Sequence, residues 1–206
     1  NIGTTNDSPK NVAPTLQNVA NCASQEEAMG RGETKSFACR AFARYVVIQL
    51  GGRGILTLCE VDVYGGTPIC GEDQQVEEEE PKDSSLKCAA EGSSKVNLAL
   101  NKPTSQINVG WNGLPSRAVD GDNNGEWSGA SCTHTALAEH PWWAVDLGGI
   151  YRLEKVVLTN RKDCCSERLS MIRIGTSDEN PSDMIVVTHN YKICSSSNSQ
   201  LTAGER

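Results

Sequence analysis

The segment NIGTTNDSP at residues 1–9 returns in altered form as RIGTSDENP at 173–181. Carried on without a gap, the same offset of 172 sets Cys22 on Cys194 and Gly32-Glu33 on Gly204-Glu205, giving nine identities in 34 positions. Matches that include a cysteine, two glycines and a proline exceed chance. A repeat at this spacing constrains the fold more than any local pattern, because both copies ask for the same structural position. The chain is therefore expected to begin inside one copy of a domain and to stop inside the next. Residues 1–65 read as the C-terminal part of a first copy, 66–95 as a linker, and 96–206 as the N-terminal and central part of a second.

Nine cysteines among 206 residues far exceed cytosolic usage, and they do not form a zinc-ribbon pattern. An oxidised, secreted protein held by disulfides is the economical reading. The first residues are neither basic nor apolar, which agrees with a mature chain or a fragment rather than a signal peptide. No apolar run approaches the roughly 18 residues of a membrane span. The net charge of −7 is concentrated in GEDQQVEEEEPKD at 71–83, where seven acids face one lysine. The rest is nearly neutral, which argues against a nucleic-acid surface and makes the acidic run a solvated linker.

Residues 43–50 (ARYVVIQL) and 55–64 (ILTLCEVDVY) are rich in β-branched residues and separated by Gly51-Gly52-Arg53-Gly54, so they read as a pair of antiparallel strands. Residues 142–147, 153–159, 171–174 and 184–188 read as further strands, and nothing predicts a helix longer than two turns. The chain is all-β, a sandwich or jelly roll.

Cys164 and Cys165 are adjacent and lie between Arg161-Lys162-Asp163 and Arg168. Three readings stand side by side: a bond between them closing a tight ring, separate bonds to other cysteines, or a reducible switch. The flanks carry more information. Arg161 and Arg168 bring planar forks of donors, and Asp163 is close enough to hold and neutralise one of them. Fixed donors beside a flat apolar plate suit a ligand with several hydroxyls and one apolar face, which describes a sugar. Phosphate would suit two arginines, but Asp163 and the plate argue against a purely anionic guest, and surface ion pairs in a loop are the ordinary alternative. Elsewhere, RAVDGDNNGEWSGAS at 117–131 crowds Asp120, Asp122, Asn123 and Asn124 around glycines. Hard oxygens on a turning loop suit calcium, while an Asx-rich turn explains the same composition.

The spacing becomes specific at His134 in SCTH, followed after twenty-six residues by Arg161-x-Asp163 and, four residues beyond, by Arg168. With Pro141-Trp142-Trp143, Val145-Asp146-Leu147 and Thr159-Asn160 in place, the run resembles the F-type lectins (fucolectins). GETKSFAC at 32–39 and LCEVDVYG at 58–65 resemble the closing strands of the same domain. The resemblance implies a discoidin-like, antiparallel, disulfide-stapled β-sandwich jelly roll. It implies an L-fucose site in which His134, Arg161 and Arg168 hydrogen-bond the ring oxygen and hydroxyls beside Asp163. A Cys164–Cys165 ring would pack on the sugar's carbon face, and Trp127 would meet its methyl group. It also implies a structural Ca2+ held by the Arg117 carbonyl, the Asp120 side chain, the Asp122 carbonyl, Ser131 and a Cys-Glu pair. The one such pair here, Cys59-Glu60, belongs to the first copy.

Family pairing implies Cys22–Cys39 and Cys164–Cys165. Two arrangements follow: two incomplete domains side by side, or one permuted jelly roll in which 1–65 completes 96–206. Closure would add Cys59–Cys132, leave Cys70–Cys88 to pair in the linker and leave Cys194 alone, and 1–34 and 173–206 would then compete for one place. The implied function is secreted, non-catalytic recognition of fucosylated glycans in innate defence, with no nucleic-acid partner and no membrane insertion. A single site would bind on the order of 0.01–1 mM, so avidity would come from tandem copies or association of chains. The alternative is a discoidin-like adhesion module for protein or lipid, a type that displays apolar loop tips. A hydrolase using Asp163 and Glu167 lacks a second acid–base pair. His140 reads as an ordinary polar residue, Trp142 and Trp143 as core.

Overall fold

The computed structural model describes residues 20–68 and 96–181. The expected strand at 184–188, the Cys70–Cys88 pair and Cys194 lie outside the described residues. Eight strands are present: β1 (Ala20–Gln25), β2 (Thr34–Leu50), β3 (Arg53–Gly54), β4 (Glu60–Pro68), β5 (Thr104–Gln106), β6 (Ala138–Glu139), β7 (Trp142–Thr159) and β8 (Ile172–Ser177). Short 3-10 turns at Pro115–Ala118, Trp127–Gly129 and Ser166–Arg168 are the only helical pieces among the described residues, and no helix is long and apolar enough to cross a membrane.

The strand pattern follows from side-chain alternation. Along β2, Phe37, Cys39, Ala41 and Ala43 point inward while their neighbours face solvent. From Tyr45 to Leu50 the alternation stops and every residue is buried. The reason is a second cover: Val47 packs with Trp142, Ala144 and Ile107 on one face, while Val46, Ile48 and Leu50 join the main core on the other. Trp142 and Trp143 are buried, as expected of core residues, and Trp143 donates its indole N–H to the Pro115 carbonyl at 2.9 Å.

The main sheet has the order β1-β8-β2-β7-β4 with all pairs antiparallel, and β5 pairs with the first part of β7. One expectation is corrected here. Residues 43–50 and 55–64 do not pair with each other, because β7 lies between β2 and β4 and bonds to both. Residues 55–58 leave the main sheet, and Cys59 rejoins it by donating its N–H to the Thr159 carbonyl at 3.0 Å. Leu56 and Leu58 run beside Thr133 and Thr135, whose backbone N–H groups donate to the Leu58 and Leu56 carbonyls. In return, the Leu56 and Leu58 N–H groups donate to the threonine hydroxyls. The β3–β6 pair extends this ladder, and the buried Leu56 and Leu58 close the core against Ile48, Val61 and Leu158. The result is a discoidin-like β-sandwich.

The two segments expected at 142–147 and 153–159 are one 18-residue strand, β7. Its bend falls at Gly148, whose φ of +85° is open to glycine without steric cost; Asp146 accepts from the Gly148 N–H there at 2.8 Å. Strands from both sides of residues 69–95 thus share one sheet, and β1 pairs with β8. Through the offset of 172, the repeat equivalents of β1 are residues 192–197 and those of β8 are the first residues of the chain. Both counterparts lie outside the described residues. Disulfides join Cys22 to Cys39, Cys59 to Cys132 and Cys164 to Cys165.

Candidate functional site

The threonine ladder sets the direction of His134. Thr133 and Thr135 turn their hydroxyls toward Leu58 and Leu56, so the intervening side chain leaves on the opposite side. His134 is 4% exposed. Its Nε2 lies 3.3 Å from Arg168 Nη1. A guanidinium can only donate, so Nε2 accepts and the proton rests on Nδ1. Burial, followed by the charges of Arg168 and Arg161, holds the imidazole below its ordinary pKa, against an opposing backbone hydrogen bond at Thr135. The ring is neutral at physiological pH.

Asn160 governs the exit from β7. Its side-chain amide donates to the carbonyls of Met29, Gly30 and Ser166 at 2.9–3.1 Å, and its Oδ1 accepts from the Arg161 N–H at 2.7 Å. Three segments are thereby pinned around one buried side chain. Arg161, 8% exposed, follows directly and forms a two-pronged pair with Asp163, both contacts at 2.6 Å. That hydrogen-bonded pair draws the Asp163 carboxyl down to about 2. Asp163 Oδ1 also accepts from the Trp127 N–H. The Trp127 ring has the Arg161 guanidinium 4.8 Å and the Arg117 guanidinium 5.6 Å from its centroid, with the His134 ring edge-on at 5.4 Å. Cation–π contact thus places Trp127 as a brace for Arg161.

The bonded Cys164–Cys165 pair enters the turn that carries Arg168. Cys165 takes a left-handed φ of +61°, and its carbonyl accepts from the Arg168 N–H at 3.2 Å. Both cysteines are half-buried, so the sulfur pair offers surface beside the cations. His134, Arg161, Asp163, Arg168 and Trp127 converge, together with the Cys164–Cys165 bond. Glu167 is exposed on the same turn.

Residues 120–131 form a second cluster. Asp120 accepts from the Asp122 N–H, Asp122 from the Asn124 N–H and Asn124 from the Glu126 N–H, a run of Asx turns. The Ser131 hydroxyl donates to the Asn124 carbonyl. Glu60, at the start of β4 and 1% exposed, reaches this loop, with Oε1 accepting from the Gly121 N–H at 3.3 Å. Its Oε2 is buried without a partner. Burial first, then the carboxylates of Asp62, Asp120 and Asp122, push Glu60 up to about 8. The Cys59–Cys132 bond brings Glu60 and Ser131 to the same place. Among the described residues, no group of three or more His, Cys, Asp or Glu side chains is placed to hold a metal ion on its own.

Several participants were not legible in the sequence. Asn160 was visible only as part of a motif, and two of its three carbonyl partners, Met29 and Gly30, belong to a segment far away in the chain. The Arg117 side chain reaches Trp127 and the Cys132 carbonyl, whereas the sequence pointed only to its backbone. Trp111, in the turn-like Gly110-Trp111-Asn112-Gly113, is 83% exposed and carried no expectation at all.

Residues 117–205 match the family described as NedA-like, galactose-binding domain. Fucolectin-1 of Anguilla japonica is 48% identical over 69 residues, which is 32% of this chain and 39% of that protein. The fucolectin of Anguilla anguilla is 42% identical over 64 residues, 31% of this chain and 40% of that protein. A pentraxin fusion protein of Xenopus laevis is 41% identical over 63 residues, covering 30% of this chain and 15% of its own length. The matched stretch spans about two-fifths of the fucolectins' length. No solved structure matches the chain.

Proposed function

We propose that this chain is a member of the F-type lectin family, a non-catalytic lectin that binds L-fucose on glycans. The observation that carries the reading is the convergence of His134 Nε2, Arg168 and the Arg161–Asp163 pair beside the Cys164–Cys165 bond. The guanidinium N–H groups of Arg161 and Arg168 donate to sugar oxygens, and Asp163 keeps Arg161 planar and aimed. The sulfur pair takes the sugar's carbon face, and Trp127 flanks its methyl group. Hydrogen bonds to charged groups contribute about 1.5–3 kcal/mol each, and ordering offsets part of that. A single site is therefore weak, and avidity comes from several sites on one particle.

The 117–131 loop fits a calcium ion, because a buried carboxylate oxygen of Glu60 has no partner and the neighbouring Asp120 and Asp122 add negative charge. The Arg117 and Asp122 carbonyls, the Asp120 side chain, Ser131 and the Cys59-Glu60 pair would hold it. Such an ion supplies charge neutralisation and pins the loop that carries Trp127.

In the same reading, 1–65 is the closing part of one F-type domain, 66–95 is a linker, and 96–206 opens the next. Residues 20–68 then complete the second unit in permuted order, as the mixed sheet and the Cys59–Cys132 bond support. The disulfides support a secreted protein, and innate recognition of foreign fucosylated surfaces is the role proposed for it.

Calorimetry with free L-fucose tests the site. Arg168→Ala is expected to weaken binding at least tenfold while the melting temperature stays close to that of the parent. Unchanged affinity in that variant overturns the assignment.

A further inference from the structure

Trp111 has no structural task in the described fold. At 83% exposure it is the most solvent-facing large apolar side chain described. Its backbone φ is +49° and that of Asn112 is +58°, a left-handed region that bulky L-residues rarely adopt. Two such residues in succession cost free energy, and surrounding structure must impose them.

The surrounding structure is His134. The Gly110 N–H donates to the His134 carbonyl at 2.8 Å, the His134 N–H to the Gly113 carbonyl at 3.0 Å, and the Gly113 N–H to the Gly110 carbonyl at 2.9 Å. A Cβ at Gly110 would stand 2.7 Å from the Thr135 carbonyl oxygen and 2.8 Å from His134 Nδ1. Only glycine allows so close an approach. Gln106 ties the Asn108, Gly113 and His134 carbonyls together through one amide nitrogen, and Asn108 Oδ1 holds the Ala136 N–H at 2.7 Å. A rigid turn is thus mounted on the sugar-facing histidine, with an unpacked indole at its tip.

We propose that Trp111 is a stacking platform for the pyranose ring next to fucose in a larger glycan, a second subsite continuous with the first. This rests on the fucose reading of His134. Residues 107–114 carry no charge, so the loop offers an anionic bilayer no electrostatic hold, whereas a neutral sugar ring needs only an aromatic face and nearby amides. Asn112, also exposed, supplies the latter. Val109 and Leu114 of the same loop are exposed as well.

The test compares parent, Trp111→Ala and Trp111→Phe by calorimetry, using free L-fucose and a neutral fucosylated trisaccharide. The expected result is an unchanged fucose affinity in all three proteins. For the trisaccharide, the alanine variant loses about three- to tenfold and the phenylalanine variant recovers part of it. Equal trisaccharide affinity in parent and alanine variant overturns the subsite, as does an equal loss for both ligands. Binding of neutral or anionic vesicles, or a dimer, that disappears with Trp111→Ala assigns the indole to a membrane or to a second copy and overturns it too. A parent that binds neither sugar overturns the fucose reading and the subsite with it, whereas intact fucose binding with no trisaccharide effect removes the subsite alone.

Discussion

The two clusters beside the Cys59–Cys132 bond are built from similar residue types and reach opposite electrostatic outcomes. Around Arg161 every formal charge within the pair is answered: Asp163 takes both prongs of the guanidinium and is drawn down to about 2 by it. Around Glu60 the charges are of one sign. A buried oxygen stands unpaired, Asp62, Asp120 and Asp122 press on the carboxyl, and it is pushed up to about 8. Glu60 is buried, so the low dielectric magnifies the repulsion there. The Arg161–Asp163 pair is closed within the protein, whereas Glu60 relieves the repulsion of its acidic neighbours by keeping its proton. In the proposed reading a calcium ion would take the place of that proton.

The sharpest way to break this comparison is to cut the link between the clusters. Cys59 precedes Glu60, and Cys132 lies between Ser131 and the His134 ladder, so one bond serves both. Closing a separation of 73 residues is worth about 4 kcal/mol of denatured-state entropy. Replacing both cysteines with serine is expected to lower stability in urea titration by about that amount and to weaken calcium response and fucose affinity together. Fucose affinity that survives intact in the folded variant would show the clusters to be independent.

A smaller effect sharpens the acidic side. In metal-free protein, the unfolded Glu60 ionises near its ordinary 4.5 while the folded one stays protonated until about 8. The folded state therefore holds more protons across that window, and stability falls as pH rises through it. Calcium requires the ionised carboxylate, so it is expected to bind more tightly as pH rises over the same range. At a hundredfold excess over Kd it adds about 2.7 kcal/mol. Glu60→Gln is expected to flatten the pH dependence in chelator and to abolish the calcium-dependent rise in Tm. An unchanged rise in Tm would move the ion elsewhere.

The smallest effect probes the compensated side. His134 is held below its ordinary 6.5, mainly by burial, so its neutral form, and with it fucose affinity, is expected to persist to below pH 6.5 and then to fall on acidification. Asp163 has a depressed pKa, so its contribution is full above the ordinary carboxyl range near 4 and disappears as pH falls through about 2. Asp163 thus stays ionised between pH 8 and 4, and at saturating calcium the change in affinity over that range is expected to follow the histidine. A flat profile would separate His134 from the ligand.

The strands and the signature were legible for a common reason: both are local. Period-two burial in β2 and the spacing from His134 to Arg168 survive in a linear string. The partnership of β2 with β4 was misread, because alternation reveals which residues face inward and says nothing about which strand lies alongside. β7, drawn from the far side of residues 69–95, took the place between them. The bend at Gly148 likewise looked like a loop between two strands, since a glycine pair marks a turn and a bulged strand equally well.

By itself the sequence carried the all-β class, the surplus of cysteines and the spacing of His134, Arg161, Asp163 and Arg168 around the Cys164-Cys165 pair. Each of these depends on residue type, composition or short spacing. Only the tertiary structure decided that Glu60 meets the Asp120 loop, that Asn160 reaches the distant Met29 and Gly30 carbonyls, that Trp127 braces Arg161, and that Trp111 stands exposed on the turn bonded to His134. Those relations arise from long-range strand pairing and from the two faces of one packed core, and no local pattern records which distant backbone a side chain will meet.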